Sequence, residues 1–256
     1  RLVRFCEKEK VRMLLLPSLD ELKGGKLKMR ALPEVRIEDL LGREEIRINM
    51  EEIAGSLKGK VVLVTGAAGS IGSELCRQLC HFGLKQLVLF DSAETPMHNI
   101  RLELEEKFPD VEFTPVMGDI RMSHRVESIY QRFRPHIVFH AAAYKHVPLM
   151  EENPCEAVHT NVYGTRNVAD MAVKYDVDKF IMVSTDKAVN PTNVMGASKR
   201  LAEMYVQSLS IAISKGRQSG KTRFITTRFG NVLGSNGSVI PRFREQLAKG
   251  DPLTVT

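Results

Sequence analysis

Along most of the chain, short apolar runs alternate with stretches in which apolar residues recur every three or four positions. The runs predict strands that are buried on both faces, at 61–64, 86–90, 111–116, 136–140, 180–184 and 224–227. The spaced positions, such as Ile71 and Leu75, predict helices between the strands. Longer helices are predicted from about Pro154 to Tyr175 and from near Gly196. Because strands and helices alternate, the pattern predicts an α/β fold with a doubly wound parallel sheet.

The first 57 residues do not follow this pattern. Charged residues are dense there, Gly24 and Gly25 interrupt the segment, and 35–41 predicts a short helix. The segment is too small to build its own core, so we expect 1–57 to be an arm or connector. Residues 58–230 carry the regular pattern and form the predicted main domain. The chain starts without Met and ends in residues typical of the middle of a strand, so we expect both ends to be cut.

Composition excludes several classes of protein. Of the 256 residues, 43% are hydrophobic, which is enough for a sizeable core and too many for a disordered chain. No apolar run approaches the roughly 20 residues of a membrane-spanning helix. The 37 Lys and Arg residues against 31 Asp and Glu residues give a net charge of +6, too mild to indicate a nucleic-acid partner. The four cysteines and seven histidines form no metal-binding pattern, so we expect no metal site.

A glycine-rich turn follows the first predicted strand and opens the next helix. It reads Thr65-Gly66-Ala67-Ala68-Gly69-Ser70-Ile71-Gly72. Gly66 allows a tight turn, Gly69 lets the backbone approach a pyrophosphate, and Gly72 lets helix and strand pack closely. The amino terminus of the helix offers N–H groups and a positive dipole to phosphates, so the turn predicts a dinucleotide site. The turn residues expected to contact the cofactor are Gly66, Ala68, Gly69, Ser70 and Ile71.

Three further predicted contacts lie at strand ends. Asp91 ends the second strand, where a carboxylate can accept hydrogen bonds from the adenosine ribose and repel a 2′-phosphate, which favours NAD over NADP. The alternative role for Asp91 is the N-cap of the following helix. Asp119, with Ile120, follows the third strand and is expected to hydrogen-bond the adenine amino group. The fourth strand is followed by three small residues that leave room for the cofactor, Ala141, Ala142 and Ala143.

The glycine turn, Gly118-Asp119-Ile120 and the alanine run together resemble the extended short-chain dehydrogenase/reductases. This resemblance implies a Rossmann fold that binds NAD. Members of that family usually carry Tyr-x-x-x-Lys after the fifth strand. This chain has Met195 at the tyrosine position and Lys199 at the lysine position. By resemblance, Lys199 contacts the nicotinamide ribose, and Met195 fills the space of the missing ring.

Three other segments narrow the resemblance to nucleotide-sugar 4,6-dehydratases. They are Ser184-Thr185-Asp186-Lys187-Ala188-Val189-Asn190-Pro191-Thr192-Asn193, Ala143-Tyr144-Lys145-His146-Val147-Pro148 and Arg228-Phe229-Gly230-Asn231-Val232-Leu233-Gly234-Ser235. Together they resemble the large, membrane-anchored UDP-N-acetylglucosamine 4,6-dehydratases of polysaccharide biosynthesis, in which Met typically replaces the tyrosine. The resemblance covers about 54–256, and those relatives continue well past residue 256.

The resemblance also implies partners and a location. We expect NAD as cofactor, a UDP-sugar as substrate and a homo-oligomer as the assembled state. The chain is expected to be a cytoplasmic domain that makes no membrane contact itself, while its parent protein is anchored in the bacterial inner membrane. Residues 231–256 are then the start of a truncated nucleotide-sugar-binding region.

In such a dehydratase, NAD takes hydride from C4 of the sugar, water is lost across C5 and C6, and hydride returns to C6. By resemblance, Lys187 removes the C5 proton as a neutral amine. Asp186 protonates the departing C6 hydroxyl, so its pKa is expected to be raised. Thr185 orients the C4 hydroxyl. The acceptor of the C4 hydroxyl proton is not identified, because Met195 cannot take a proton.

Other roles and other functions remain as alternatives. Lys145 and Asn231 are candidate contacts to the nucleotide-sugar, or else a surface charge and a turn amide. A nucleotide-sugar 4-epimerase on the same fold also oxidises C4, but it normally uses the tyrosine absent here and does not need Asp186 and Lys187. A catalytically silent NAD-binding regulator is the third hypothesis, with Met195 as its main support.

Overall fold

The computed structural model describes residues 50–230 and the single positions 232, 246, 249 and 252. Most of the predicted arm, its short helix at 35–41, Asn231 and nearly all of 231–256 lie outside the described residues. The division of the chain at residues 57 and 230 therefore stays a prediction.

Six parallel strands form one sheet, which confirms the predicted doubly wound α/β fold. They are β1 (Val61–Thr65), β2 (Gln86–Asp91), β3 (Phe113–Met117), β4 (Ile137–His140), β5 (Lys179–Thr185) and β6 (Arg223–Phe229). Their order across the sheet is β3-β2-β1-β4-β5-β6. The chain places β2 and β3 on one side of β1 and then adds β4 to β6 on the other side. Sheets of this kind bind ligands at their carboxyl edge, where the strand order reverses.

Helices cover both faces of the sheet. They are α1 (Met50–Leu57), α2 (Ser70–Leu79), α3 (Glu94–Lys107), α4 (Ser123–Phe133), α5 (Val147–Glu152), α6 (Pro154–Ala157), α7 (Thr165–Lys174) and α8 (Val194–Ser214). Short 3₁₀ turns at Cys80–Phe82 and Asp186–Ala188 follow α2 and β5. Among the described residues, no helix is long and apolar enough to cross a membrane.

The long helix predicted from Pro154 to Tyr175 is interrupted. A π-helical segment, Val158–Gly164, joins α6 to α7. Its last residue packs directly on the loop after β3, since a Cβ on Gly164 would lie 2.5 Å from Ile120 Cδ1. Apolar periodicity predicts a continuous helix here because a π-turn shifts the spacing by only one residue per turn.

One strand boundary is corrected, and one short helix was not predicted. The strand β3 begins at Phe113 rather than at 111, because Val111 is held in a turn by its N–H bond to Phe108 O, 3.1 Å away. The helix α4 begins at Ser123, with Met122 as its N-cap residue. The helix α5 was not predicted, since its six residues are too few to show a period.

The two faces of β1 explain its continuous apolar run. Val61 and Leu63 pack into the core that includes α4, α7 and α8, while Val62 and Val64 pack into the core that includes α1, α2 and α3. Successive side chains of a strand point to opposite faces. A strand with a core on each side must therefore be apolar at every position. The packing on both faces fixes β1 and, with it, the turn that follows.

Candidate active site

The glycine turn lies at the carboxyl end of β1, where it meets the loop after β4. Gly66 has φ +69°, a conformation that L side chains rarely adopt. A Cβ on Gly66 would lie 2.5 Å from the backbone nitrogen of Ala142. A Cβ on Gly72 would lie 1.9 Å from Gly66 O, so α2 contacts the turn directly. These two glycines allow backbone to pack on backbone, as the sequence predicts.

The amino terminus of α2 is suited to an anion. Its N-cap is Gly69, no side chain of the described residues hydrogen-bonds the cap, and the first turn contains no acidic residue. The helix dipole and N–H groups therefore carry positive potential that no side chain of the helix's first turn neutralises. This is the arrangement that a pyrophosphate requires.

Asp91 contacts both the glycine turn and the next helix. Its Oδ2 accepts the N–H of Ala68 at 2.9 Å, and its Oδ1 accepts the N–H of Ala93, also at 2.9 Å. The N-cap residue of α3 is Ala93 rather than Asp91, so the alternative prediction that Asp91 is the N-cap is wrong, although Asp91 bonds to that N-cap residue. The carboxylate remains half-buried at the carboxyl edge, beside the turn.

Asp119 is paired with an arginine that the sequence analysis did not single out. Its Oδ1 accepts the N–H of Arg121 and its Oδ2 accepts Arg121 Nε, both at 2.8 Å. Burial raises the pKa of Asp119, but these hydrogen bonds outweigh burial and the net pKa is lowered. Arg121 Nη1 also donates to Glu156 at 2.8 Å, which joins the loop after β3 to α6. Ile120 between them is buried against Gly164.

The loop after β4 is fastened by a buried amide. Asn161, in the π-helical segment, accepts the N–H of Tyr144 at 2.8 Å and donates to Tyr144 O at 3.1 Å. Its amide also donates to Ser198 Oγ at 2.9 Å. These contacts hold the backbone that follows Ala141, Ala142 and Ala143, all of which are half-buried.

Thr185, Asp186 and Lys187 form a bonded cluster at the end of β5. Thr185 Oγ1 donates to Asp186 Oδ1 at 2.9 Å, and Lys187 Nζ donates to the same oxygen at 3.2 Å. The N–H of Lys187 donates to Thr185 Oγ1 at 3.3 Å, which caps the short 3₁₀ turn. The side chains of Asp186 and Lys187 are 55% and 39% exposed, so both can be reached by a ligand.

The expected raised pKa of Asp186 is wrong for this structure. Burial raises the pKa of Asp186, but hydrogen bonds from Thr185 and Lys187 and the charge of Lys187 outweigh it, so the net pKa is lowered. Asp186 is therefore an ionised carboxylate in the ligand-free chain. A carboxylate in this state accepts a proton before it can donate one.

Lys199 and Met195 lie inside the fold. Lys199 is 5% exposed, and its Nζ donates to Val183 O on β5 at 2.8 Å. Burial lowers the pKa of Lys199 to about 8, while the nearby charge of Glu203 raises it. Met195 is buried and packs with Met150 and Ala157, so it is part of a small apolar cluster.

A buried histidine joins β1 to α7. His140 Nδ1 lies 2.7 Å from Thr65 Oγ1, and His140 Nε2 lies 2.8 Å from Thr165 Oγ1. Thr165 gives its only hydroxyl proton to Asn161 O at 2.6 Å, so it accepts from His140, whose proton must be on Nε2. Burial and the charge of Lys199 lower the pKa of His140 to about 3, so the ring is neutral.

Lys145 lies on the loop after β4 and outside this cluster. It lines an open cavity of about 260 Å³ with Tyr144, His146 and Glu156, among other residues. Asn231, the other candidate contact to the nucleotide-sugar, lies outside the described residues. The structure thus brings together the glycine turn, Asp91 and Asp119 on one side and Thr185 to Lys199 on the other, with Lys145 at the margin.

The chain matches a family of known proteins over a range that includes all of these site residues. The family described as polysaccharide biosynthesis protein matches residues 62–256. The chain belongs to this family. The matched range includes the glycine turn, the cluster at the end of β5 and Lys199, which confirms the resemblance to polysaccharide biosynthesis enzymes.

Individual relatives agree with the family. The chain is 46% identical over 254 residues to the capsular polysaccharide biosynthesis protein CapD of Staphylococcus aureus, covering 99% of this chain and 41% of that protein. It is 39% identical over 201 residues to a UDP-glucose 4-epimerase of Rickettsia rickettsii, covering 77% and 56%. The X-ray structure of Pen from Bacillus thuringiensis is 38% identical with a TM-score of 0.70, covering 78% and 59%. The chain thus spans about two to three fifths of each relative's length.

Proposed function

We propose that this chain carries the cofactor-binding and catalytic part of an NAD-dependent nucleotide-sugar 4,6-dehydratase. The substrate is a UDP-sugar, UDP-N-acetylglucosamine in the first instance, and the product serves bacterial polysaccharide or capsule biosynthesis. The observation that carries the proposal is the bonded cluster of Thr185, Asp186 and Lys187 at the end of β5. A carboxylate and an amine side by side are the groups that an elimination of water needs.

The carboxyl edge fits NAD. The amino terminus of α2 has no side-chain cap and suits the pyrophosphate. Gly66 has no side chain, so its backbone packs directly on that of Ala142 beside this terminus. Asp91 is the proposed partner of the adenosine ribose, and its charge disfavours a 2′-phosphate. Asp119, Ile120 and the three alanines are proposed to line the adenine and ribose sites, and Lys199 is proposed to hold the nicotinamide ribose. When bound, NAD would supply the hydride acceptor for C4 and, once reduced, the hydride donor for C6.

The hydrogen bond from Thr185 to Asp186 supports a route for the C4 hydroxyl proton. Thr185 Oγ1 can accept that proton while it passes its own to Asp186 Oδ1, 2.9 Å away. The lowered pKa of Asp186 fits this step, because the carboxylate starts ionised. A threonine and an aspartate would then do the work for which relatives use tyrosine.

The same proton then serves the elimination. Lys187, whose ammonium pairs with Asp186 in the ligand-free chain, loses a proton to solvent once the C4 hydroxyl proton has neutralised Asp186. The neutral amine then removes the C5 proton, and Asp186 gives its proton to the C6 hydroxyl as the C6–O bond breaks and water leaves. When hydride returns to C6, Lys187 returns its proton to C5. The sugar has lost one water, Asp186 is again a carboxylate, and Lys187 regains its ammonium proton from solvent, so the cycle balances.

Self-association is part of the proposal. Leu201, Met204 and Ile211 on α8 and Tyr163 in the π-helical segment are 44–51% exposed. Exposed large apolar residues on adjoining elements favour an interface with a second copy. We propose a homo-oligomer built on these elements, within a parent protein held at the bacterial inner membrane.

A nucleotide-sugar 4-epimerase is the second candidate, because the chain is 39% identical to a UDP-glucose 4-epimerase. Epimerisation needs a C4 proton acceptor and NAD but no acid and base for C5 and C6. The pair of Asp186 and Lys187 therefore favours the dehydratase.

In the deciding experiment, the full gene product that contains this chain is incubated with UDP-N-acetylglucosamine, and the mass of the nucleotide-sugar is measured by mass spectrometry. Loss of one water supports the dehydratase, isomerisation without a mass change supports the epimerase, and an unchanged sugar supports a regulatory NAD-binding domain. Heat-released nucleotide from the same protein tests the cofactor. Recovery of mostly NADP(H) would overturn the assignment of NAD.

A further inference from the structure

A carboxylate is buried on α8 one helical turn beyond Lys199. The side chain of Glu203 is only 4% exposed, whereas its partners Arg228 and Arg200 are 39% and 41% exposed. Glutamate is almost never fully buried unless it is paired. The burial of Glu203 beside the site therefore needs a reason.

Glu203 binds the end of β6 with both carboxylate oxygens. Arg228 Nε donates to Oε1 at 2.9 Å, and Arg228 Nη2 donates to Oε2 at 2.6 Å. Two parallel bonds of this kind fix orientation as well as distance. Arg228 lies opposite Ser184 in the register of β5 and β6, one position before Thr185. Two residues further, a Cβ on Gly230 would lie 3.9 Å from Asp186 Oδ2, so the end of β6 adjoins the cluster.

Glu203 is also the counter-charge for a group of cations. Arg228 and Arg200 bond to this carboxylate, with Arg200 Nη1 donating to Glu203 Oε2 at 3.2 Å. Lys199 is buried four residues before Glu203 on α8, a spacing that places the two on the same face of the helix. The hydrogen bond of Lys199 Nζ goes to Val183 O, a neutral acceptor. His140, at the end of β4, is close enough to Lys199 for their charges to interact, but the low pKa of His140 keeps its ring neutral. Burial lowers the pKa of Lys199, and Glu203 opposes that shift through space.

We propose that Glu203 is a positioning residue that keeps the buried Lys199 protonated and holds Arg228, with the end of β6, against the active site. An ammonium can give hydrogen bonds to ribose hydroxyls with all its protons, whereas a neutral amine has lost one donor and its charge. The role of Lys199 toward the ribose rests on the proposed function. The effect of the Glu203 charge on the protonation of Lys199 does not depend on the proposed function.

The test measures the titration of Lys199 in the ligand-free chain by NMR of lysine labelled with ¹³C at Cε. The signal is identified by its loss in Lys199→Arg. The parent midpoint is expected near 8. Glu203→Gln keeps the side-chain shape and removes the charge, so the midpoint should fall by on the order of one pH unit.

The matched control is Glu103→Gln. Glu103 on α3 also accepts two bonds from one arginine, Arg77, at 2.9 and 2.8 Å, but α3 covers the other face of the sheet. That variant should leave the Lys199 midpoint unchanged. An unchanged midpoint in Glu203→Gln, or an equal fall in Glu103→Gln, overturns the proposal.

A second variant tests the proposal in the opposite direction. Arg228→Gln keeps Glu203 and removes a neighbouring cation, so the Lys199 midpoint should rise. A purely structural clamp gives no reason for opposite signs in the two variants, and a fall in both would overturn the proposal. This variant also suffices if Glu203→Gln does not fold. Because neither titration needs nucleotide or sugar, the result stands apart from whether the protein is a dehydratase or an epimerase.

Discussion

The two halves of the carboxyl edge use different parts of the chain. After β1 and β2, the site is made chiefly of backbone: the turn at Gly66, its contact with Ala142 and the amino terminus of α2. After β5 and β6, it is made of side chains whose charges depend on one another, from Asp186 to Glu203. The backbone half is sensitive to added atoms and indifferent to pH, whereas the side-chain half is sensitive to charge. We therefore expect variants of the backbone half to lose stability and bound cofactor, and charge variants of the side-chain half to change pH dependence and activity.

The largest effect is expected from Gly72→Ala in the backbone half. A Cβ there would lie 1.9 Å from Gly66 O, so α2 must move away from the turn. We expect a loss of stability on the order of 3 kcal/mol and loss of bound NAD, measured by chemical unfolding and by released nucleotide. Gly55→Ala is the control, because its Cβ meets nothing within 4 Å and alanine favours a helix. Equal stability in the two variants would contradict the close packing of turn and helix.

Lys199→Met should show the cost of a buried charge. The pKa of Lys199 is lowered from 10.5 to about 8, so between these values the unfolded chain binds more protons than the folded chain. Stability should therefore rise with pH across that window in the parent, by up to about 3 kcal/mol relative to Lys199→Met. Urea unfolding of both chains at pH 7.5, 9 and about 10.5 measures the difference. A difference that is independent of pH would show that the pKa of Lys199 is not lowered in the folded chain.

Lys187→Ala should separate the two chemical steps. The C4 oxidation does not use Lys187, so reduced nicotinamide should appear on the protein in a single turnover while no water is lost. Product formation should fall about 10²-fold or more, the scale of removing a general base. Lys199→Ala should suppress even the first step by disturbing the cofactor. Formation of the 4-keto-6-deoxy product at the parent rate in Lys187→Ala would remove Lys187 from its proposed role.

Asp91→Asn should give the smallest change, because Asp91 also has a structural role. The amide keeps one acceptor for the N–H of Ala68 or Ala93 and removes the charge that opposes a 2′-phosphate. The preference for NAD over NADP should shrink by about tenfold, the scale of one charge-assisted hydrogen bond. Competition binding of the two nucleotides measures it. An unchanged preference would mean that Asp91 only holds the turn and α3.

The backbone half was predictable from sequence because its signals are local. A continuous apolar run, a glycine turn and a following helix face are adjacent in the chain, and the structure has all three in place. The pairing of Asp91 with the turn was also foreseeable, since both lie at the ends of neighbouring parallel strands. Even there, the arginine beside Asp119 was missed, because a salt bridge to α6 depends on the packing of distant segments.

The side-chain half was only partly predictable. A family resemblance identified the catalytic candidates Thr185, Asp186, Lys187 and Lys199. The protonation states of Asp186 and Lys199 depend on neighbouring groups that the resemblance does not show. The lowered pKa of Asp186 follows from which atoms donate to it, which no spacing reveals. Glu203 had a signal, its position four residues after Lys199 on a helix, but its burial and its bond to Arg228 come from the pairing of β5 with β6. Asn161 and His140 had no local signal at all.

The hydrogen bonds around His140 all point the same way. Thr65 donates to His140, His140 donates to Thr165, and Thr165 donates to Asn161 O, so reversing one bond would require reversing every other. No member of this chain reaches solvent, since all four residues are fully buried. The ring proton on His140 Nε2 should therefore exchange with deuterium only when β1 and α7 separate. The exchange rate of this NMR signal therefore measures how often β1 and α7 separate. The measurement needs no substitution of the residues that are proposed to do the chemistry.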